Sequence, residues 1–215
     1  MKLRLISAGA AHDLVASVAP EIGVEIEGSF GAVGAMLEKF DGGEPCDVVI
    51  LTRKQIDALA GTGQVRAQSV ADLGAVPTSI AVLAGAAKPD VSSAPALRAA
   101  LLAADALYFP DPAKATAGIH FAKVVDALGI TARVAPLFRN YANGAASMRA
   151  MAEAGGQPIG CTQATEIRAT PGVTLVASLP PGLDLTTVYA AAVSARAQHP
   201  IEASAFVSAL AGRLD

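Results

Sequence analysis

Short apolar runs alternate with amphipathic stretches along the whole chain. The runs have the length and composition of strands, and the stretches between them carry apolar residues at helical spacing. Predicted strands cover residues 3–6, 24–26, 47–51, 78–84, 106–109, 133–137, 158–161, 173–179 and 188–194. Predicted helices cover residues 11–19, 32–40, 53–60, 96–103, 118–128, 145–154 and 201–214. The β-α-β-α-β rhythm with short loops at the start of the chain predicts a doubly wound parallel sheet.

The number of elements exceeds what one small sheet can hold. About ten strands and seven or eight helices are too many for a five-stranded sheet, and no flexible linker or internal repeat divides the chain. We therefore predict an α/β protein of two small doubly wound lobes, joined by two crossover strands at 78–84 and 188–194, with a ligand cleft between the lobes. The expected domains are a discontinuous lobe, 1–82 plus 187–215, and a second lobe, 83–186.

Composition narrows the class of protein. Hydrophobic residues make up 53% of the 215 residues and charged residues 16%, which excludes intrinsic disorder. No apolar run approaches the ~18 residues needed to cross a bilayer, so we expect no membrane insertion. The net charge is −3, aromatic residues make up 4%, and no basic block occurs, which argues against nucleic acid as a partner.

The start of the sequence bears on localisation. Met1 and Lys2 lead directly into a strand-like segment, with no room for a signal peptide, so we expect a cytoplasmic protein as written. A trimmed mature form with an added Met would look the same and would be periplasmic. The permease of an ABC transporter is therefore expected as a partner only if the native gene carries a signal peptide.

Cysteine and histidine residues are few and scattered. Cys46 and Cys161 lie far apart and in no CxxC spacing, which favours two small core residues over a disulfide. His12, His120 and His199 are isolated from each other and from the cysteines, so no metal site is predicted. We expect no cofactor.

Four loops lie where a parallel sheet binds ligands, beyond the carboxyl ends of strands. They cover residues 7–12, 28–34, 111–118 and 162–166. Three are rich in Gly, Ala and Ser, so their backbone N–H groups are unshielded, and a following helix adds about half a positive charge. Together they predict an anion site. None matches GxGxxG or the P-loop pattern, so nucleotide binding is not supported.

Several segments resemble the molybdate-type class II periplasmic binding proteins. They are LISAGAAHDLV, VEIEGSFGAVGAMLEKFDGGEPCDVVIL, DPAKATAGIHFAKVVDALGI, IGCTQATEI and PGVTLVASLP, which together span nearly the whole chain. The resemblance implies two α/β lobes joined by two crossover strands. It also implies a solute receptor that closes on its ligand by hinge bending.

The chain departs from that family at its oxyanion donors. The resemblance implies a serine in the first loop, a serine in the second and a tyrosine, but those positions hold Ala10, Val33 or Ala32, and Gln163. A site that hydrogen-bonds a compact oxyanion loses much affinity when such donors are removed. This argues against molybdate or sulfate as the ligand.

The groups that remain suit a larger and flatter anion, and we expect an organic di- or tricarboxylate. The candidate ligand-binding residues are Ser7, Gly9, Ala10, Ser29, Phe30, Gly31, Lys114, Thr116, Gly118 and Gln163. Lys114, Arg53 and Arg139 are the candidates for a counter-charge.

The sequence is also similar to a branch of this superfamily that includes aconitate isomerase, which shifts a double bond within a tricarboxylate. That reaction needs a base to remove an allylic proton and an acid to return one. His12, His120 and Glu166 are the candidates, and for each the alternative is a solvated or packed residue without a catalytic role. A carboxylate-binding receptor and a cytosolic isomerase of an unsaturated di- or tricarboxylate both stay open.

Overall fold

In the computed structural model, which describes residues 1–214, strands and helices alternate as the sequence pattern indicates. The strands are β1 (Lys2–Ala8), β2 (Glu25–Gly31), β3 (Val48–Thr52), β4 (Ala71–Leu83), β5 (Leu107–Pro110), β6 (Phe138–Tyr141), β7 (Ile159–Gln163), β8 (Val173–Ser178) and β9 (Thr186–Val193). The helices are α1 (His12–Glu21), α2 (Val33–Asp41), α3 (Arg53–Gly61), α4 (Ala94–Ala103), α5 (Thr116–Ala127), α6 (Thr131–Val134), α7 (Gly144–Ala152), α8 (Ala164–Arg168) and α9 (Pro200–Leu210). Short 3-10 turns cover Gly9–Ala11, Ala67–Ser69 and Ala135–Leu137.

The chain divides into two compact units. Unit 1 consists of Met1–Val76 and the segment from Thr187 onwards, and unit 2 consists of Pro77–Thr186. The division at Val76 falls inside β4, the strand that also contains the domain boundary expected between residues 82 and 83. Both units therefore draw on β4.

Unit 1 is built on a mixed sheet with the strand order β2-β1-β3-β9-β4. β1 runs parallel to β2 and β3, and β9 runs antiparallel to β3. The first four residues of β3, VVIL, are all buried, as expected for a central strand that is covered on both faces. Because β1 and β2 are parallel, their carboxyl ends meet at one edge of this sheet.

Asp47 connects three segments of unit 1 through one buried carboxylate. Its Oδ2 accepts the backbone N–H of Arg4 at 2.9 Å, and its Oδ1 accepts those of Gln198 at 2.7 Å and His199 at 3.3 Å. Burial alone would raise the pKa of Asp47, but these backbone donors and the Arg4 guanidinium outweigh burial and hold the pKa below its usual value. The ionised carboxylate thus joins the start of β3 to β1 and to the segment that leads into α9.

Unit 2 has a sheet of its own. β4 pairs antiparallel with β7 and β8, and β5 pairs parallel with β6 and β7. Its core includes a group of edge-to-face aromatic rings, in which Phe109 lies 5.1 Å from Phe121 and 4.9 Å from Phe138 between ring centroids. This core fixes α5 against β5, and with it the loop that joins the two.

The strand predicted at residues 133–137 is wrong. The structure has α6 and a 3-10 turn there, and the strand β6 begins only at Phe138. The N–H groups of Arg133 and Val134 both donate to the carbonyl of Ile130, which is helical bonding, and Pro136 has no N–H for a sheet ladder. The strand was predicted because the segment is apolar, and apolar composition alone does not distinguish a strand from a buried helical turn.

Two further elements differ from expectation. β4 begins at Ala71, well before the predicted start at residue 78. The predicted loop at 162–166 is instead the end of β7 followed by α8, so Gln163 is the N-cap residue of a helix. Within residues 1–214, no helix is both long and apolar enough to cross a membrane.

We predict that Asp47→Asn destabilises the protein by about 2–4 kcal/mol at neutral pH, because the amide replaces an ionised acceptor of three backbone N–H groups. A folded-state pKa below the unfolded value stabilises the fold above the unfolded pKa, and that stability is lost as the pH falls through the folded pKa. The deficit of Asp47→Asn should therefore shrink as the pH is lowered from about 7 to about 3. Urea unfolding of both proteins across this range measures it, and a pH-independent deficit would contradict the assignment.

Candidate functional site

In unit 1 the candidate site lies at the carboxyl ends of β1 and β2. The parallel register pairs Ser7 with Phe30, so these side chains lie on the same face of the sheet. The ring of Phe30 meets that of His12 edge to face, with 4.8 Å between centroids. The structure therefore brings three of the predicted site residues together, alongside Gly9 and the buried Ala10 in the 3-10 turn that precedes α1.

His12 is exposed and contacts two neighbouring side chains. Its Nδ1 lies 2.9 Å from Oδ1 of Asp13, and its ring meets that of Phe30 edge to face. When Nδ1 carries the proton that Asp13 accepts, Nε2 of a neutral imidazole is left with a lone pair. This is the arrangement that a general base requires.

Ser29 is not part of this group. Neighbouring residues of a strand point to opposite faces, so Ser29 lies on the other side of β2 from Phe30. Its hydroxyl donates to Oε1 of Glu44 at 3.2 Å and accepts from Nζ of Lys39 at 3.1 Å, and Lys39 and Glu44 form an ion pair at 3.3 Å. The hydroxyl of Ser7 is also engaged, since it donates to the carbonyl of Ala8 at 3.0 Å. Backbone N–H groups are therefore the main donors that unit 1 offers to a ligand.

In unit 2 the candidate residues lie around the start of α5. Thr116 is the first residue of that helix, and the preceding turn is closed by Asp111, whose Oδ1 accepts the N–H groups of Ala113 at 2.7 Å and Lys114 at 3.3 Å. Gly118 is buried, and a side chain there would collide with the carbonyls that end β5. The structure gives this predicted ligand-binding residue a packing role, because the absence of a Cβ lets α5 begin close to β5.

His120 and Glu166 are both engaged by the protein. Nε2 of His120 lies 2.8 Å from the carbonyl oxygen of Leu183, a geometry in which the imidazole donates. Oε2 of Glu166 accepts the hydroxyl of Thr162 at 2.6 Å, and Glu166 is buried. Burial raises the pKa of Glu166 above its usual value, although Thr162 and the backbone N–H groups of residues 144, 145 and 163 act in the opposite direction. The geometry gives Glu166 the role of joining α7 to α8.

Three of the longer helices in the described residues have a side chain that accepts an N–H group of the first turn. Thr52, Ser93 and Asn143 do so for α3, α4 and α7. The carboxylate of Asp47 accepts the two N–H groups just before α9. These groups satisfy donors that a helix start leaves without an intrahelical partner.

Four helices of eight or more residues in the described chain lack such a side chain, and they are α1, α2, α5 and α9. The N-cap residues of α1, α2 and α5 are Ala11, Ala32 and Ala115, all buried and without a polar side-chain atom. These three helices are also the ones that follow the carboxyl ends of β1, β2 and β5. Their first turns therefore present backbone N–H groups and the positive end of the helix dipole without a protein side chain as acceptor.

The two arginines predicted as candidate counter-charges for the ligand both have partners within the protein. Arg53 pairs with Asp57 and with Asp72, each at 2.8 Å, and these carboxylates raise the pKa of its guanidinium. Arg139 donates to the carbonyls of Pro136 at 3.1 Å and Phe138 at 2.9 Å. Both guanidinium groups are thus used within the protein.

Neither cysteine has the character of a nucleophile or of a metal ligand. Cys46 and Cys161 are free and buried in different units. Burial raises the pKa of Cys46 to about 12 and also raises that of Cys161, so both remain thiols at neutral pH. Among residues 1–214, no group of His, Cys, Asp and Glu side chains is arranged to hold a metal ion.

Sequence reasoning missed one polar side chain of the site region. Thr78 lies on β4 opposite Gln163 of β7 and is fully buried, and its Oγ1 has no hydrogen-bond partner. A single threonine in an apolar strand is typical of strands in general, so no sequence signal marks it.

Comparison with known proteins defines the class. Residues 3–213 match the family of bacterial extracellular solute-binding proteins, and the chain belongs to that family. The resemblance to the class II periplasmic binding protein superfamily is thereby confirmed.

Solved structures agree on the fold. The sulfate-binding protein SubI of Mycobacterium tuberculosis H37Rv superposes with a TM-score of 0.75 at 18% identity, covering 98% of this chain and 81% of that one. The periplasmic molybdate-binding protein of Azotobacter vinelandii superposes with a TM-score of 0.72 at 17% identity, covering 97% and 92%. At these identities the likeness shows the fold alone, and it confirms the predicted α/β fold of two-lobed binding proteins.

One curated relative is an enzyme. Aconitate isomerase of a Pseudomonas species is 29% identical over 177 residues, which cover 79% of this chain. The match covers 63% of the isomerase, so the chain spans less than two thirds of that relative's length.

We predict that Glu166→Gln reverses the pH trend expected for Asp47→Asn. A folded pKa above the unfolded value contributes stability that is present below the unfolded pKa and is lost as the pH rises through the folded pKa. The stability of the natural protein relative to Glu166→Gln should therefore fall as the pH rises above about 4. Urea unfolding of the two proteins, with Asp47→Asn as the matched comparison, measures the sign, and a relative stability that rises with pH would contradict the analysis.

Proposed function

We propose that this protein binds a small organic di- or tricarboxylate. The observation that carries the proposal is that α1, α2 and α5, which follow the carboxyl ends of β1, β2 and β5, begin without a side-chain acceptor for their first-turn N–H groups. A carboxylate is the natural partner of such helix starts. Asp47 and Glu166 illustrate the same chemistry within the protein, since each carboxylate accepts backbone N–H groups beside a helix.

The donor set favours carboxylates over compact tetrahedral oxyanions. The positions where molybdate binders are expected to carry hydroxyl groups hold Ala10, Val33 or Ala32, and Gln163. The hydroxyl of Ser7 donates to a backbone carbonyl, and that of Ser29 belongs to the cluster with Lys39 and Glu44. A ligand with several separate carboxylates can engage separate helix starts, whereas one small ion is more dependent on a dense set of hydroxyl donors. The relative named as an aconitate isomerase supports the same ligand class.

We predict that cis-aconitate, trans-aconitate, citrate or itaconate raises the Tm of the protein, while molybdate and sulfate do not. A ligand that binds only the folded state at about 100 times its Kd stabilises by about 2.7 kcal/mol, which shifts Tm by several degrees. In Ala32→Ser and Ala115→Ser, the added hydroxyl should accept a first-turn N–H group. It should raise the stability of the free protein by about 0.5–1 kcal/mol and weaken carboxylate binding several-fold.

Ser93→Ala is the matched control, because it removes the cap of α4. It should cost about 1 kcal/mol of stability and leave the affinity unchanged. If only molybdate shifts the Tm, the protein is an oxyanion receptor and the carboxylate proposal is wrong. If both serine variants bind the carboxylate with unchanged affinity, the uncapped helix starts are not part of the ligand site.

A second candidate function is isomerisation of an unsaturated di- or tricarboxylate. The orientation of His12 by Asp13 and Phe30 favours it, because it leaves Nε2 available at the edge where α1 begins. In this reaction Nε2 removes a proton from the carbon next to the double bond, the double bond moves, and a proton is returned at the far carbon. No electrons are gained or lost overall, so the reaction needs no redox partner.

If the protein is an isomerase, incubation with cis- or trans-aconitate in D₂O should give deuterium incorporation and formation of the other isomer, followed by proton NMR. His12→Ala should lower that rate by about 100-fold or more, because a positioned general base contributes at least that much. His199→Ala serves as the control and should retain the rate. Binding without exchange or isomer formation in the natural protein would leave the receptor as the function.

A further inference from the structure

The strand pair of β4 and β7 in unit 2 contains a buried hydroxyl, that of Thr78, which has no hydrogen-bond partner among the described residues. In the antiparallel pair of β4 and β7, Thr78 lies opposite Gln163, the last residue of β7 and the N-cap of α8. Thr78 is fully buried, and among the described residues nothing donates to or accepts from its hydroxyl. Both backbone groups of Thr78 are satisfied, by the carbonyl of Leu185 at 2.8 Å and the N–H of Leu179 at 3.1 Å.

A buried hydroxyl without a partner is costly. Removing such a group from water without replacing its hydrogen bond costs about 1–3 kcal/mol. Valine has nearly the same shape and higher β propensity and would fill the position without that cost. The fold therefore gains nothing from the hydroxyl of Thr78, which calls for a partner from outside the chain.

The position of Thr78 indicates what that partner is. β5 lies beside β7 in parallel register, with Leu107 paired to Ile159 and Tyr108 to Gly160. Continuing this register places Asp111, the first residue of the turn that leads into α5, level with Gln163 and hence with Thr78. The hydroxyl thus lies in the row where the turn before the uncapped start of α5 begins.

A second buried hydroxyl lies nearby in the sequence. Thr165, in the first turn of α8, also has an Oγ1 without a hydrogen-bond partner, although part of its side chain is exposed. The two threonines flank the residue that ends β7, one across the strand pair and one two positions along the chain. This concentration at one end of β7 is typical of a binding subsite rather than of a packing defect.

We infer that Thr78 donates its hydroxyl to one carboxylate of the ligand and thereby contributes to specificity in unit 2. The inference rests on the proposed carboxylate binding and extends it to a residue outside the predicted set. In this subsite a hydroxyl, the amide of Gln163 and backbone N–H groups replace the cation that a surface carboxylate site would use.

The test is Thr78→Val, with Thr170→Val as the matched control. Thr170 is buried in the same unit, but its hydroxyl donates to the carbonyl of Glu166 at 2.8 Å. Each variant is compared with the natural protein by thermal unfolding without ligand and by calorimetric titration with cis-aconitate, citrate and molybdate.

Thr78→Val should raise the Tm of the free protein by about 2–4 °C and raise the Kd for the carboxylate about tenfold. Thr170→Val should lower the Tm and leave that Kd unchanged. An unchanged Kd in Thr78→Val, or a Tm that falls as in the control, would overturn the role of Thr78 alone. If the natural protein itself binds neither carboxylate, the proposed function fails instead.

Discussion

The N–H groups at the starts of helices are the constraint on which this account depends. Each helix begins with donors that have no intrahelical partner, and a folded chain must supply acceptors or leave them to water or a ligand. Here Thr52, Ser93 and Asn143 supply acceptors for three helices. Among the long helices in the described part of the chain that lack a side-chain cap, α1, α2 and α5 have alanine at the N-cap and follow the carboxyl ends of parallel strands, where α/β sheets bind ligands.

Two buried carboxylates with opposite pKa shifts show how strongly their surroundings control the ionisation of a carboxylate that accepts backbone N–H groups. Burial raises the pKa of both Asp47 and Glu166, but the backbone donors around Asp47 reverse the effect and those around Glu166 do not. Asp47 therefore remains an ionised clamp at neutral pH, and Glu166 is closer to protonation. The protein's own carboxylates accept N–H groups at some helix starts and leave other helix starts available for a carboxylate of the ligand. Leaving those N–H groups without a protein acceptor lowers the stability of the free protein.

Much of the fold could be predicted from the sequence, because strands with apolar runs and helices with a 3.6-residue period are local signals. The strand β3, whose first four residues are buried, and the helix that follows it, α3, are examples. The strand prediction at 133–137 is wrong because apolar residues around Pro136 resemble a strand in composition, although the segment folds as a helical turn. Long-range pairing, such as the early part of β4, leaves no comparable local signal.

The candidate site was predicted less completely than the fold. Alternation along β2 already separates Ser29 from Phe30, and the structure shows the consequence in the bonds of Ser29 to Lys39 and Glu44. The sequence pattern predicted Gly118 at the start of a helix, but it did not predict the close packing against β5 that requires a glycine there. Thr78 was beyond the reach of sequence reasoning, since an unsatisfied hydroxyl is recognised only when its neighbours are known.

The most direct test of the central claim is a ¹⁵N–¹H NMR titration of the protein with cis-aconitate. The account predicts saturable shifts of the backbone amides in the first turns of α1, α2 and α5, at residues 12–14, 33–35 and 116–118. The amides at the capped starts of α3, α4 and α7, at residues 53–55, 94, 96 and 144–146, should move little. Equal shifts in both sets, or saturable shifts confined to the capped set, would contradict the claim that the uncapped helix starts bind the ligand.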